Sequence, residues 1–527
     1  MTIHGNLFKR LILTPGVFLL IVMVSMGMRP IGPKNDTFKV ALQSSHETTK
    51  DVTNFYEKMK FQPVWFAQGQ LNQCGQIAVD VLKNASLEGL NPHDYEDAVK
   101  ALTNFPLNWV NAEILLTKRF LEFITHVRVG RIDPVLISRN IKFHKPNIHP
   151  VKLLVDALQD QSGCHKLRLM APAIPEYAHL KNILANYRDI AKRVKDWPQI
   201  KTKKLKVGDS DPAIINLRKI LILLGDLKKS NRFSSKFDKA LNVALQQFQK
   251  RNTIEPDGVV GGKTKKALEV SIHNLIRKIL VNMERLRWLP QDLGDRHLIV
   301  NVAGYEVRAY EKDVLRLTIP AIVGKPSRLT PLFYANLTNV IINPPWNVPY
   351  SILVHDKLPK ILNDPDYIRR SGYTVTDGNG NVVDPDYADW EYEGAHYHLH
   401  QRPGKHNALG QIKFNMVNPY TIYLHGTPDE KLFKRTARAF SSGCIRLKYP
   451  VELASWILNN NDKWNKEGIE KTIHKGATQT IQPDSSLPVY FTYQTVWLGK
   501  DNLVHISDDP YKMDVKMEKI LDKEEGA

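Results

Sequence analysis

The spacing of apolar residues changes period along this chain and divides it into helical and strand-like stretches. From about 38 to 200 the pattern is mainly helical. Leu116, Phe120, Phe123 and Val127 recur at helical intervals before Gly130 and Asp133-Pro134 end the run. Upstream, Leu82 to Tyr95 reads as a helix end, a glycine stop at Gly89 and a proline turn at Pro92. A second helical block spans 205–270. Asp211-Pro212 opens it, Ile214, Leu217, Leu221 and Leu224 share one face, and Leu241, Leu245 and Phe248 share another. A glycine-rich turn, Pro256 to Thr264, follows, and a further helix over 271–290 carries Leu275, Ile279, Leu286 and Leu289.

Beyond residue 295 the period falls to two. His297–Val302 and Tyr305–Tyr310 flank Ala303-Gly304 and predict a hairpin, and Leu315–Val323 continues the strands. Further strands are expected at Ile412–Phe414, Tyr420–Leu424 and Val489–Leu498, the last partnered by Leu503–Ile506. Between 352 and 393 the pattern turns helical and loop-rich, as an insertion would. The expected fold class is therefore multidomain α+β: a helical region over 38–200, a small three-helix module over 205–270, a return helix over 271–290, a β-rich domain over 295–510 and a tail over 511–527.

A chain of 527 residues with 43% hydrophobic content has material for several cores. Its formal net charge of +19 favours anionic partners. No zinc-finger or RNA-recognition signature accompanies that charge, which argues against nucleic acid and for an acidic envelope surface. Lys9 and Arg10 precede an apolar run from Leu11 to Met28, so residues 1–30 read as a secretory signal or membrane anchor. Ser25-Met26-Gly27 is a poor cleavage site and an uncleaved anchor is the better fit, with the bulk of the chain exported. Export brings an oxidising compartment. Of three cysteines, Cys74 and Cys164 then either pair or remain two buried thiols, leaving Cys444 free.

Chemistry concentrates between His425 and Arg446. His425-Gly426-Thr427-Pro428 is followed by a basic segment and by Ser441-Ser442-Gly443-Cys444-Ile445-Arg446. A cysteine beside a base is a strong nucleophile, and a glycine before it lets backbone N–H groups converge on a carbonyl oxygen. This pattern resembles the catalytic motif of the L,D-transpeptidases, the YkuD-type enzymes that cross-link bacterial cell walls. Many members carry histidine where this chain has Ser442. The Ser-Ser-Gly-Cys form is similar to the long, YcbB-like subgroup. So are Val323–Pro331, Asn343–Pro349 and the Pro403–Gly410 loop, while residues 352–393 resemble that subgroup's capping insertion over the cleft. The module over 205–270, with its Asp257-Gly258-Val259-Val260-Gly261 turn, resembles the type 1 peptidoglycan-binding repeat.

The resemblance implies acyl transfer without a cofactor or metal. Cys444 would attack a stem-peptide carbonyl, His425 would accept and return the proton, and a thioester would be handed to the amine of a second stem. It also implies Gly426 as a backbone orienter of the histidine and Gly443 as an oxyanion donor. Ser442, Arg446, Tyr423, Trp346 and Asn407 would contact substrate, Arg446 either binding a carboxylate or bracing its loop. Peptidoglycan stem peptides and glycan would be the partners, and the periplasm or cell envelope the location. Water as acceptor would make a carboxypeptidase, and a free D-amino acid would make an exchange enzyme.

Two other classes compete. His396, His398 and His400 would share one face of a strand and suggest a zinc peptidase, although no fixed acidic partner accompanies them. A wall-binding protein without activity would use the module alone.

Overall fold

The computed structural model describes residues 35–525 apart from 105–107, 144, 162, 230–232, 365 and 459–461. The expected signal or anchor over 1–30 lies outside the described residues. Among those described, no helix is long and apolar enough to cross a membrane.

The first core is helical. Trp109–Val129 runs through it, and the flanking helices Lys50–Lys58, Gln73–Lys83 and Pro150–Leu158 bury Val52, Phe55, Ile77, Leu82 and Leu154 around Leu116, Phe120 and Phe123. Glu113 sits in its middle, fully buried. Its carboxylate accepts the backbone N–H groups of Val64 (2.7 Å), Trp65 (3.0 Å) and Phe66 (3.2 Å) and the Tyr56 hydroxyl (2.8 Å). One side chain thus holds the loop that leads to Trp65 and fixes where that indole enters the core. Replacing it strands several buried donors at about 1–3 kcal/mol each. Glu113→Ala is therefore expected to cost at least about 3 kcal/mol, read from denaturant unfolding of this region. Cys74 and Cys164 form a disulfide with Cα atoms 5.3 Å apart, joining helix Gln73–Lys83 to the turn Gly163–Leu169.

The last helix of the 38–200 region, Pro175–Arg193, departs from the expected division. Its Tyr177, Leu180, Ile183, Leu184 and Tyr187 belong to the core of the β-rich domain, packed with the return helix Ile272–Leu286. The 205–270 module has its own core, from helices Ala213–Leu223, Lys239–Arg251 and Gly262–Leu268. The buried Gln249 amide organises its turn: it accepts Gly258 N–H (2.9 Å) and donates to the Val259 carbonyl (2.9 Å) and Thr264 hydroxyl (3.0 Å). Arg251, buried against Asp226, also donates to the Val504 carbonyl at 2.8 Å, so the module is docked on a hairpin of the β-rich domain.

That domain is built on one ten-stranded sheet. Its strands are β1 (Arg296–Asn301), β2 (Glu306–Glu311), β3 (Val314–Gly324), β4 (Tyr334–Ile342), β5 (Ile412–Met416), β6 (Leu424–His425), β7 (Ala439–Ser441), β8 (Ile445–Leu447), β9 (Gln479–Ile481) and β10 (Leu487–Thr492). The order is β5-β6-β8-β3-β2-β1-β10-β4-β9, with β7 beside β3. β4 pairs with β5 as well as with β10, which closes the sheet on itself around an apolar interior. The hairpin at Ala303-Gly304 is present, joining β1 to β2.

Four expectations are corrected. The strand anticipated over Tyr420–Leu424 is only Leu424–His425. The Asn418 side chain accepts Tyr420 and Ile422 N–H (both 3.1 Å) and Thr421 has φ +56°, so a local turn takes the hydrogen bonds a ladder would need. The run Val489–Leu498 breaks in two. Asn301 and Asn282 side chains accept the N–H groups of Gln494 (2.9 Å) and Thr495 (2.8 Å), and Val496–Leu498 turns away to pair with Val504–Ile506. The insertion contains more than helices and loops: its Tyr373–Thr376 and Val382–Val383 join the flanking Trp346–Asn347 and His398–Gln401 in a separate four-stranded sheet. The stretch read as a tail is helical over Met513–Glu525, with Met513 and Met517 buried and Asp514 bridging Arg285 (2.6 Å) and Lys278 (3.0 Å).

Candidate active site

Strand register assembles the site. β6 and β8 are parallel, with Leu424 opposite Ile445 and His425 opposite Arg446. β5 is antiparallel to β6, with Lys413 opposite His425. Alternation therefore sends Phe414, Leu424 and Ile445 into the core and leaves Lys413, His425 and Arg446 on the opposite face. Tyr423 and Cys444, two residues before His425 and Arg446, continue that face, and the Tyr423 carbonyl accepts Ile445 N–H at 3.1 Å. Tyr423, His425, Cys444 and Arg446, together with Trp346 and Ser442, line a cleft of about 440 Å³ roofed by the insertion segment Ile352 to Lys360.

His425 is buried, and its Nδ1–H donates to the Gly426 carbonyl at 2.6 Å. That bond fixes the tautomer and leaves Nε2 as the basic nitrogen. Burial is the main force that depresses its basicity. The charges of Arg446 and Lys413 add to it and the Gly426 carbonyl opposes it, leaving a pKa of about 3. Burial and the two neighbouring charges thus favour a neutral resting imidazole. Close packing keeps the ring in place. Gly410 has φ +65°, and a Cβ there would lie 2.5 Å from Thr427 N, so only glycine lets the preceding loop close over Gly426.

Cys444 is the one free cysteine and is partly exposed to the cleft. Its thiol points to the Thr421 carbonyl at 3.8 Å. Enclosure raises its pKa, while hydrogen bonds from Tyr423 and the charges of Lys413 and Arg446 pull it back. Gly443 has φ +119°, which turns the chain sharply before the cysteine. Its N–H is not free, however. It donates to Ser441 Oγ at 3.1 Å, and Ser441 Oγ in turn donates to the Cys444 carbonyl at 2.6 Å. The Cys444 N–H has no partner among the described residues, so it, rather than the Gly443 N–H, is open to a ligand oxygen. Behind the loop, Thr330 donates to the Gly443 carbonyl (2.7 Å) and Gly324 N–H donates to Thr330 (2.9 Å). Tyr511 donates to the Gly324 carbonyl (2.7 Å). The C-terminal region thus braces the cysteine turn from below.

The expected substrate contacts divide. The Arg446 guanidinium faces the cleft without a hydrogen bond or ion pair among the described residues, which favours a carboxylate ligand over a loop brace. Trp346 is largely buried in the insertion core, one edge on the cleft, with the Lys357 ammonium 5.5 Å from its ring centre. Asn407 does not face the cleft. Its amide donates to the carbonyls of Pro344 (3.0 Å) and Arg402 (3.1 Å), and its oxygen accepts Leu409 N–H (2.8 Å). It is a buried brace because its amide is satisfied by Gln401, Arg402 and Leu409 of its own loop and by Pro344 from the segment before the insertion.

Ser442 is also occupied. Its hydroxyl accepts from Arg328 (2.9 Å) and donates to Asp356 (3.3 Å), while Arg328 and Asp356 form an ion pair. This cluster fastens the insertion to the cysteine turn. Burial alone would raise the Asp356 pKa, but Arg328, Lys325 and Ser442 outweigh it and hold the carboxyl below its usual range. The latch is therefore intact above that range and opens as pH falls through the lowered value. Asp356→Asn should raise KM for a large donor peptide about three- to fivefold, the effect of about 1 kcal/mol. Alkylation of Cys444 by a small reagent should not slow. Steady-state kinetics beside thiol labelling checks both.

Lys413, Ser441, Thr330, Arg328, Asp356 and Tyr511 were not anticipated from sequence. Only Lys413 had a usable signal, its position between Ile412 and Phe414 in a period-two run. The histidines considered as zinc ligands are not grouped: His398 is exposed and His400 bonds Asn347 (2.8 Å) and Thr376 (3.0 Å). Among the described residues no group of three or more His, Cys, Asp or Glu could hold a metal ion.

Comparison with known proteins follows the same division. Residues 295–479 match the family model of the L,D-transpeptidase catalytic domain, residues 50–184 that of a scaffold domain, and residues 210–268 one described as "Putative peptidoglycan binding domain". A curated protein of Haemophilus influenzae, named "Putative L,D-transpeptidase", is 39% identical over 239 residues, 45% of this chain and 48% of that protein. The chain thus spans about half the length of the curated relative it matches. Among solved structures, an L,D-transpeptidase of Xylanimonas cellulosilytica is 12% identical, covering 55% of this chain and 98% of its own, with a TM-score of 0.19. One from Mycobacterium smegmatis is 11% identical, covering 37% and 58%, also with a TM-score of 0.19. Residues 295–479 are accordingly an L,D-transpeptidase catalytic domain of the YkuD family, carried on one chain with a scaffold domain and a module of the peptidoglycan-binding type.

Proposed function

We propose that the chain is a peptidoglycan L,D-transpeptidase that works through a thioester on Cys444. The observation that carries this reading is the shared face of β6 and β8, which puts His425, Cys444 and Arg446 in one cleft beside a free backbone N–H. The thiol S–H bond breaks and its proton passes to His425 Nε2. The sulfur electron pair forms the C–S bond with a carbonyl of the donor stem, and the oxyanion rests on the Cys444 N–H. The C–N bond then breaks, and the proton on Nε2 leaves with the released amine. An amine of a second stem then attacks the thioester: the new C–N bond forms as the C–S bond breaks, and the amine's proton passes through His425 Nε2 to the sulfur, restoring the thiol.

A basic cleft suits an anionic donor. Lys325, Lys357, Lys360 and Arg446 surround it against one carboxylate, Asp356. Arg446 is the candidate for a bidentate contact with a stem carboxylate. The same acyl-enzyme could be released by water or by a free D-amino acid, giving a carboxypeptidase or an exchange enzyme on an unchanged site. The catalytic domain and the module together support a location at the cell envelope. The module would hold the enzyme on the wall, although its docking through Arg251 means that deleting it would also uncover the Val504 hairpin.

The test is mass spectrometry of muropeptides after incubation of the purified protein with tetrapeptide-bearing wall fragments. New cross-linked dimers are the expected product. Shortened stems without dimers would assign a carboxypeptidase, and unchanged fragments together with no adduct from a carbapenem-type β-lactam would reject the enzyme reading.

A further inference from the structure

Lys413 has no place in the reaction as written, yet it stands on the reactive face. Register puts it directly opposite His425 across the β5–β6 pair. Its Nζ lies 4.2 Å from the centre of the Tyr423 ring. Tyr423 and Cys444 line the same cleft. The side chain is half-buried, and the residues lining the cleft include Tyr423, His425, Cys444 and Arg446 but not Lys413. An ammonium in such a place pays desolvation, which lowers its pKa, and the charge that offsets this is that of Cys444. Substrate does not explain it, since the residue does not line the cleft.

We propose that Lys413 is a positioning residue for the nucleophile, its ammonium held on the Tyr423 ring so that it favours the thiolate form of Cys444 and the neutral form of His425. This rests on Cys444 being the nucleophile. A cation–π contact on a partly desolvated ring is strong enough to fix a lysine that would otherwise be mobile. A positive charge near sulfur stabilises the anion left when the proton departs. The same charge discourages a resting imidazolium, so Nε2 remains open to receive that proton. Lys413 makes no covalent bond and gives up no proton.

Other charges also face the sulfur and must be kept constant. Tyr423 and His425 project from β6 and Arg446 from β8, with Asp429 beside Arg446. Lys325 comes from the loop after β3, and the insertion contributes His355, Asp356, Lys357 and Lys360. On the far side of Lys413, β4 presents Ile341, which carries no charge.

Because Cys74 and Cys164 are bridged, iodoacetamide on the oxidised full chain reports Cys444 alone. Its rate against pH measures the thiolate. Lys413→Met removes the charge and keeps the stem on Tyr423; Lys413→Arg keeps the charge. The expected result is that the Met variant moves the rate–pH curve up by about one unit, a roughly tenfold loss of rate at pH 7. The Arg variant should stay within about threefold of the wild type. Carbapenem acylation should follow the same order. Should the Met variant melt early, Lys413→Gln supplies a second neutral side chain, and thermal melting identifies which variants are folded. An unshifted curve in a folded neutral variant, or an Arg variant as impaired as the Met variant, overturns the proposal. The underlying reading fails separately: acylation that persists in Cys444→Ala would place the nucleophile elsewhere, whatever Lys413 does.

Discussion

Cys444→Ala is expected to reduce both cross-linking and acylation by a β-lactam to the uncatalysed level while the protein melts as the wild type does. The first half follows from the chemistry. With no thiol the site loses its proposed nucleophile, and neither neighbour is free to replace it: His425 is buried with its Nδ1 tied to Gly426, and Ser442 is held between Arg328 and Asp356. The second half follows from the packing. The turn that carries the cysteine is held by Ser441 and Thr330 through backbone atoms of residues 443 and 444, with Tyr511 supporting Thr330 and Gly324 behind them, and the substitution removes none of these bonds. His425→Gln should retain a trace of acylation, slower by about 10²–10⁴-fold, since a thiolate can still form by losing its proton to water. Intact-mass analysis after incubation with a carbapenem separates the outcomes. An adduct on the Ala variant would move the nucleophile to another residue.

Loss of the Cys74–Cys164 bridge is expected to destabilise the helical core by about 2–4 kcal/mol, the range for closing a long loop. The two residues are 90 positions apart and the intervening chain contains Trp109–Val129, around which that core is built. The bridge therefore restrains much of the unfolded region at once. Cys74→Ser, Cys164→Ser and the double variant should lose similar stability, because either single change opens the same loop. Singles less stable than the double would show that a lone thiol is harmful in itself. The catalytic cleft has a separate core, so carbapenem acylation at 25 °C should persist in the double variant. Non-reducing peptide mapping checks the premise, and two free thiols in protein made under oxidising conditions would refute it.

Much of the architecture is local and was readable for that reason. A helical stripe such as Leu116, Phe120, Phe123 and Val127 states which face must be buried, and a period-two run around Ala303-Gly304 states a hairpin. The proposed nucleophile and base were legible because His425-Gly426 and Ser442-Gly443-Cys444 form short local motifs that a sequence displays directly. Errors fell where side chains from distant segments replaced backbone partners. Asn301 and Asn282 take the N–H groups that would have continued the strand through Gln494 and Thr495. Asn407 looked like a cleft residue because the loop around it borders the site. Its amide is consumed by Pro344, Arg402 and Leu409, a set of partners defined only once the loop has folded.

The sequence by itself therefore determined the succession of helical and β-rich units, the cysteine and histidine proposed to react, and the two cysteines available to pair. Tertiary structure decided everything that depends on register across strands and on closure of long loops. It brought Lys413 opposite His425, and it left the Cys444 N–H rather than that of Gly443 open to an oxyanion. It spent Ser442 on the Arg328–Asp356 latch and set Tyr511, 67 positions beyond Cys444, beneath the cysteine turn. The physical reason is that a motif specifies which groups can react, whereas charge, hydrogen-bond satisfaction and desolvation at those groups are set by neighbours that no local pattern encodes.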